Sequence, residues 1–383
     1  MTLVYARDPV DHEAPKMHAL VLGIGRFPHL DGAPAGDRPA CVDSAKAVVD
    51  FLVRNADQFD APLATIECLL SDPRNELGAD RLARTDPAHD PRETEAVDSG
   101  IHQHVEKACD DWMDRVREND VLFLYCSSHG LAERDLRCFL VCEDYNERPT
   151  NKARYLLNIG SIAAALPAAK RAGAVWIFVD ACQEVLEELV RIVGGVRGIE
   201  PVQANLDQIT TWPVRSIAVG AASFGQFAYA PAAGGVAYFT EALLHGLEHC
   251  CVEAQAGGWH ITTKQLLFSL DDVAFARNAR AIRSAVLSSP SGNQRLMRVE
   301  TPRIPVAIST RPEAMMASAQ QVDIRTRRNT GTALATKADT SGIWRCELSL
   351  DERQLEVRLD FAQQPQKLLP FDLDPPSVRV EVT

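Results

Sequence analysis

Four continuous apolar runs, each ending in glycine or small polar residues, constrain this chain more than any other feature. They are HALVLGIG (18–25), DVLFLYC (120–126), AVWIFVD (174–180) and RSIAVGAAS (215–223). A strand wet on one face alternates apolar with polar residues, so runs without alternation predict strands buried on both faces, as in a parallel sheet covered by helices. The segments between them supply such helices. Val42, Ala45, Val48, Val49, Leu52 and Val53 recur at helical spacing, with Asp43 and Ser44 near the start. Ile101, Val105, Ala108, Cys109, Trp112 and Val116 do the same behind the candidate caps Asp98 and Ser99. Further helices are predicted over 159–171, 236–247 and 262–277, short strands over 65–70 and 137–142, and a long polar surface loop over 72–98.

Beyond about residue 303 the pattern changes. Trp344, Cys346, Leu348 and Leu350 alternate with polar neighbours, as do Leu355, Val357, Leu359 and Phe361, and again Val378, Val380 and Val382. Period-two alternation predicts antiparallel strands with one wet face. The expected fold class is α/β: a mostly parallel sheet flanked by helices, with a smaller C-terminal all-β, sandwich-like domain. The domains are expected at 1–302, with a core over 17–300, and at 303–383.

Composition removes several classes of function. Forty Lys and Arg against fifty-two Asp and Glu give a net charge of −12, which argues against nucleic acid as a partner. No apolar window reaches the roughly eighteen residues of a membrane helix. The charged N-terminal segment lacks the apolar core of a signal peptide, so a cytoplasmic protein without a membrane partner is expected. Ten cysteines are too sparse for a disulfide framework, and Cys41, Cys68, Cys109, Cys138, Cys142 and Cys346 read as small buried hydrophobes. His245, His249 and Cys250 share a helical spacing but lack a fourth ligand, and His102 and His104 fall on different helix faces, so no metal site is expected. No cofactor is expected either, and without an Asp-x-Asp-x-Asp-Gly loop a dependence on Ca²⁺ is not legible. Gly23-Ile24-Gly25 has Pro28 where a dinucleotide fingerprint needs its third glycine, and the residues around Ser223 miss the Gly-x-Ser-x-Gly elbow.

Two strand ends carry reactive groups. His129 and Gly130 follow the run ending at Cys126, and Cys182 follows the run ending at Asp180. Open α/β sheets bind ligands outside the carboxyl ends of their strands. A thiolate nucleophile needs an imidazole that takes its proton and later protonates the leaving amine. The two residues lie 53 apart. Caspases carry Gln-Ala-Cys-[Arg/Gln/Gly]-Gly with a histidine about 50 residues upstream. This chain reads Asp180-Ala181-Cys182-Gln183-Glu184, which departs at the first and last positions.

Taken in order, HALVLGIG with ACVDSAKAVVDFL, then DVLFLYCSSHG, WIFVDACQ and SIAVGAASFGQFAYAPAAGGVAYFTEALLHGL resemble the caspase-like, clan CD cysteine peptidases over about residues 17–300. They are closer to the bacterial and metacaspase-type members than to animal caspases. The resemblance implies a cysteine endopeptidase acting on a protein or peptide substrate, with Cys182 as nucleophile, His129 as acid and base, and the N–H groups of Gly130 and Cys182 as oxyanion donors. It implies Asp180 in the floor of the S1 pocket, pairing with a basic P1 residue. Asp43 is a second acidic wall, one position displaced from the family pattern. Arg38, seven residues before Ala45, occupies the place of a caspase pocket arginine and leaves an acidic P1 open. The basic reading is adopted. An apolar P1 preference, and a scaffold protein with an unpoised dyad, stay open beside it. The resemblance also implies a role in bacterial stress, immunity or cell death and self-processing at Arg191 or Arg197 in the 184–213 loop, with an uncut loop open beside it; the C-terminal β domain, whose polar positions show no catalytic constellation, is expected to dock against the peptidase or to recruit a partner protein.

Overall fold

The structure, a computed structural model, describes residues 2–7, 13–30, 36–75, 80–83, 94–132, 138–169, 172–183, 215–231, 234–278, 282, 284–288, 292–311, 313–327, 333–337, 343–351, 353–361 and 365–383. They form two compact units: Met1–Glu241 with Ile282–Gln294, and Ala242–Ala281 with Arg295–Thr383.

The first unit is built on a seven-stranded sheet. Its strands are β1 (Leu3–Ala6), β2 (Met17–Ile24), β3 (Leu63–Ser71), β4 (Val121–Ser127), β5 (Ala174–Asp180), β6 (Arg215–Gly220) and β7 (Ala285–Ser288), in the order β1-β3-β2-β4-β5-β6-β7. The five inner strands run parallel, while β1 and β7 close the edges antiparallel. Every residue of β2, β4 and β5 is buried, as their unbroken apolar runs require. The chain passes from β2 outward to β3 and returns beyond β2 to β4. Strand order therefore reverses between β2 and β4, and the loops leaving these two strands diverge to open a crevice. Register brings the strand ends level: Ser127 pairs with Gly23 on one side and Asp180 on the other.

Helices cover both faces. Leu20, Leu22, Leu122, Leu124, Val175 and Ile177 form one core with α2 (His102–Arg115) and α3 (Ile159–Ala169). On the opposite face lies α1 (Pro39–Arg54), so close that a Cβ on Gly23 would stand 2.5 Å from the Cβ of Ala45. That approach explains the glycine, which serves helix–strand packing and not a dinucleotide.

Three local expectations are corrected. The cap of α2 is neither Asp98 nor Ser99: the helix begins after Ile101, and Asp144 accepts the His102 N–H at 2.9 Å. A carboxylate distant in sequence replaces a local cap. Helix α1 starts with Pro39 in its first turn, so Asp43 and Ser44 lie inside it. Their side chains instead accept the N–H groups of Gly235 (3.0 Å) and Ala237 (2.9 Å). Within 72–98, Asp80–Ala83 and Thr94–Val97 pair as an antiparallel hairpin.

The second unit contains a sheet of 252–255, 258–262 and 295–299, helix 263–278, and two C-terminal sheets. One has 303–310 between 344–349 and 378–382; the other orders 333–336, 321–326, 354–360 and 367–372. The last strand, Val378–Val382, pairs parallel with 303–310 instead of antiparallel. Alternation reports one-sided burial and carries no information on the direction of a neighbour. Where a boundary was expected at 302/303, the compact units divide at 241/242, 281/282 and 294/295, since helix 263–278 packs on strand 303–310. Among the described residues no helix is long and apolar enough to cross a membrane.

Candidate functional site

Three strand ends and one returning loop meet in a cavity of about 590 Å³ at the β2/β4 reversal point, lined among others by Arg38, Arg74, His129, Asp180, Cys182 and Tyr229. Its position follows from topology, because β2, β4 and β5 each deliver their next residues to the same edge of the sheet.

His129 leaves β4 two residues after Ser127, and the chain beyond β2 folds back over it. That loop is held by Phe27 N–H to Asp37 Oδ1 (2.9 Å) and Arg38 N–H to the Gly25 carbonyl (2.7 Å). The Phe27 ring lies against the imidazole at 4.6 Å between centroids. His129 Nε2 donates to the Gly36 carbonyl at 2.6 Å. A carbonyl only accepts, so this bond places the neutral ring's proton on Nε2 and leaves Nδ1 as its basic nitrogen.

Cys182 stands two residues past the end of β5, and its Sγ accepts the Ala228 N–H at 3.3 Å. All ten cysteines are free thiols. Burial pushes the thiols of Cys41, Cys109 and Cys138 up to about 12, and that of Cys346 likewise, so they stay protonated at neutral pH. Of the ten, only Cys182 is both half-buried and in the lining of the cavity. Gly130 backs directly onto it: a Cβ at that position would lie 2.0 Å from the Cys182 carbonyl oxygen and 2.8 Å from the Ala181 Cβ. The missing side chain makes room for the backbone of Cys182.

Asp180 is 4% exposed. The Thr240 hydroxyl donates to its Oδ2 and accepts in turn from the Tyr125 hydroxyl. Burial pushes the Asp180 carboxyl up to about 6, against the pull of the Thr240 hydrogen bonds. Its folded value lies above the ordinary 3.8, so the stability it lends is complete below that pH and is lost as pH rises through about 6. The shift corresponds to about 3 kcal/mol. In a Cys182→Ala background, Asp180→Asn is expected to leave urea stability unchanged at pH 3 and to raise it by up to that amount at pH 7.5. Equal stabilities at pH 7.5 would remove this account of the carboxyl.

The other two expected pocket residues have different surroundings. Arg38 lines the cavity and donates to the Asp37 carbonyl at 2.8 Å. Asp43 does not itself line it. Arg74, which does, holds both Asp43 oxygens, Nη2 to Oδ1 at 2.7 Å and Nη1 to Oδ2 at 3.3 Å. Sequence reading missed Gly36, Arg74, Ala228 and Thr240. For Arg74 the one available signal was its place just past the carboxyl end of a parallel strand, where ligand-facing residues collect. The 184–213 loop, with Arg191 and Arg197, lies outside the described residues. Among the described residues no group of three or more His, Cys, Asp or Glu side chains is arranged to hold a metal ion.

No family model matches the chain. An uncharacterised protein, y4kE of Sinorhizobium fredii, is 29% identical over 175 residues, which are 42% of this chain and 46% of that one. The chain thus spans just under half the length of that curated relative. Among solved structures, protein GSU0716 from Geobacter sulfurreducens is similar over 72% of this chain and 95% of its own, at 15% identity and a TM-score of 0.40. Caspase-1 from Spodoptera frugiperda is similar over 74% of this chain and 94% of its own, at 13% identity and a TM-score of 0.38. Likeness at this level assigns no activity.

Proposed function

We propose that this chain is a cysteine endopeptidase that cleaves after a basic residue. One observation carries the reading: His129, with its proton placed on Nε2 by the Gly36 carbonyl, and the half-buried Cys182 leave adjacent parallel strands into one cavity. In that arrangement Nδ1 takes the Cys182 thiol proton and Sγ attacks the scissile carbonyl carbon. The N–H groups of Gly130 and Cys182 are the proposed donors to the oxyanion, each such donor being worth about 2.7 to 4 kcal/mol. The intermediate collapses as Nδ1–H protonates the departing amine, leaving a thioester on Sγ. Water then gives a proton to Nδ1 and attacks the thioester, and the thiol is restored as the carboxylate product leaves.

Asp180 supplies the preference. An ionised carboxylate buried at the edge of the cavity gains a counter-ion when a guanidinium or ammonium side chain enters, and a neutral side chain leaves it uncompensated. The test is a fluorogenic peptide panel with Arg, Lys, Asp, Leu or Met at P1, together with a peptidyl electrophile that alkylates active thiols. Wild type is expected to cut after Arg and Lys and to be labelled at Cys182. Asp180→Asn is expected to lose about 10²-fold or more of the Arg-over-Leu preference, in line with losing a buried charge pair of about 3 kcal/mol. Cutting after Asp would move the pocket role to Arg38. Silence on the panel with no labelling of Cys182 would favour a scaffold protein.

A further inference from the structure

The acid expected as a second wall of the pocket is already engaged. Both oxygens of Asp43 face the Arg74 guanidinium, and Oδ2 also accepts the Gly235 N–H at 3.0 Å. Arg74 is tied on its other side to Asp72, through Nε to Oδ1 and Nη2 to Oδ2, each at 2.8 Å. Its charge is thus met by two carboxylates, which makes it a poor receptor for an anionic substrate group. Yet its side chain, 51% exposed, lines the same cavity as Asp180 and Cys182. Gly234, another lining residue, would carry a Cβ 3.9 Å from Asp43 Oδ2, so Asp43 lies one atomic layer from the cavity surface.

We infer that Arg74 is a specificity-determining residue: by occupying Asp43 it leaves Asp180 as the acid offered to a ligand cation, and without it the cavity would present two. The inference rests on reading this cavity as the pocket for a basic side chain. Removing the guanidinium uncovers Asp43 at the wall and removes a positive charge that repels an incoming one. Two carboxylates around one guanidinium bind it more tightly than one. Tightness then trades against product release, which gives Arg74 a function in turnover.

The experiment uses the full chain carrying Cys182→Ala, with agmatine as a guanidinium probe and calorimetry as the readout, so that no turnover is required. Arg74→Met is expected to bind agmatine about tenfold more tightly than its parent, and adding Asp43→Asn should return the affinity to the parent's. Arg74→Gln, which keeps a hydrogen bond to Asp72 available, should shift affinity in the same direction if the Met variant folds poorly. Unchanged or weaker binding in both Arg74 variants, a double variant as tight as Arg74→Met, or no agmatine binding by any variant would overturn the inference. Failure of the peptidase reading looks different: agmatine binding would tighten as expected while the peptide panel stayed silent.

Discussion

Cys182→Ala is expected to abolish peptide cleavage, lowering kcat by at least about 10⁴-fold, and His129→Ala to lower it nearly as far. The double variant should be no worse than either single one. A thiol without its base and a base without its thiol are equally unable to form the thioester, so the two losses overlap and do not add. The comparison is made under saturating peptide, with circular dichroism confirming that each variant folds. His129 lies part-buried between Phe27 and Gly36, so its alanine variant also loses packing and is compared at matched folded fraction. Independent, multiplying losses would show that the residues do not act as a dyad. A Cys182→Ala protein that still cleaves at the wild-type rate would remove the proposed chemistry altogether.

The second large effect belongs to Gly130. In Gly130→Ala the added methyl would stand 2.0 Å from the Cys182 carbonyl oxygen, where ordinary contact needs more than 3 Å, so the backbone carrying Cys182 has to move by about 1 Å. A displacement of that size costs about 10²-fold in rate. The same overlap costs about 1 to 3 kcal/mol of stability, as overpacking does elsewhere. An oxyanion donor at Gly130 by itself predicts a loss of rate larger than any loss of stability. The structure predicts both losses together, because the space is filled by the protein's own chain. Measuring kcat/KM and the urea midpoint on one preparation separates the two outcomes, and an unchanged midpoint would contradict the packing shown here.

Arg74 and Asp180 show why some of the site was legible and some was not. Asp180, like Cys182, is announced by its place at the end of an unbroken apolar run, a pattern that marks a strand buried on both faces and hence the edge where ligands bind. Arg74 shares only the place just past a parallel strand, in an ordinary Asp-Pro-Arg-Asn turn, and nothing local marks what it binds. Its partner Asp43 lies 31 residues away. The same holds for the Gly36 carbonyl that sets the His129 tautomer across 93 residues, and for Thr240, which reaches Asp180 across 60. The C-terminal strands give a parallel case: alternation located them, but the parallel pairing of Val378–Val382 was decided by where the chain crossed between sheets.

The residue order by itself determined the buried parallel strands, the helices between them and the delivery of a histidine and a cysteine to neighbouring strand ends. These depend on periodicity and burial, which act over a few residues and leave a local trace. Only the tertiary structure decided which nitrogen of His129 carries its proton, which acid of the pocket is engaged and what fills the space beside Gly130. Those are contacts between segments brought together by sheet register, and hydrogen bonds of about 3 Å have no counterpart in any local pattern of the chain.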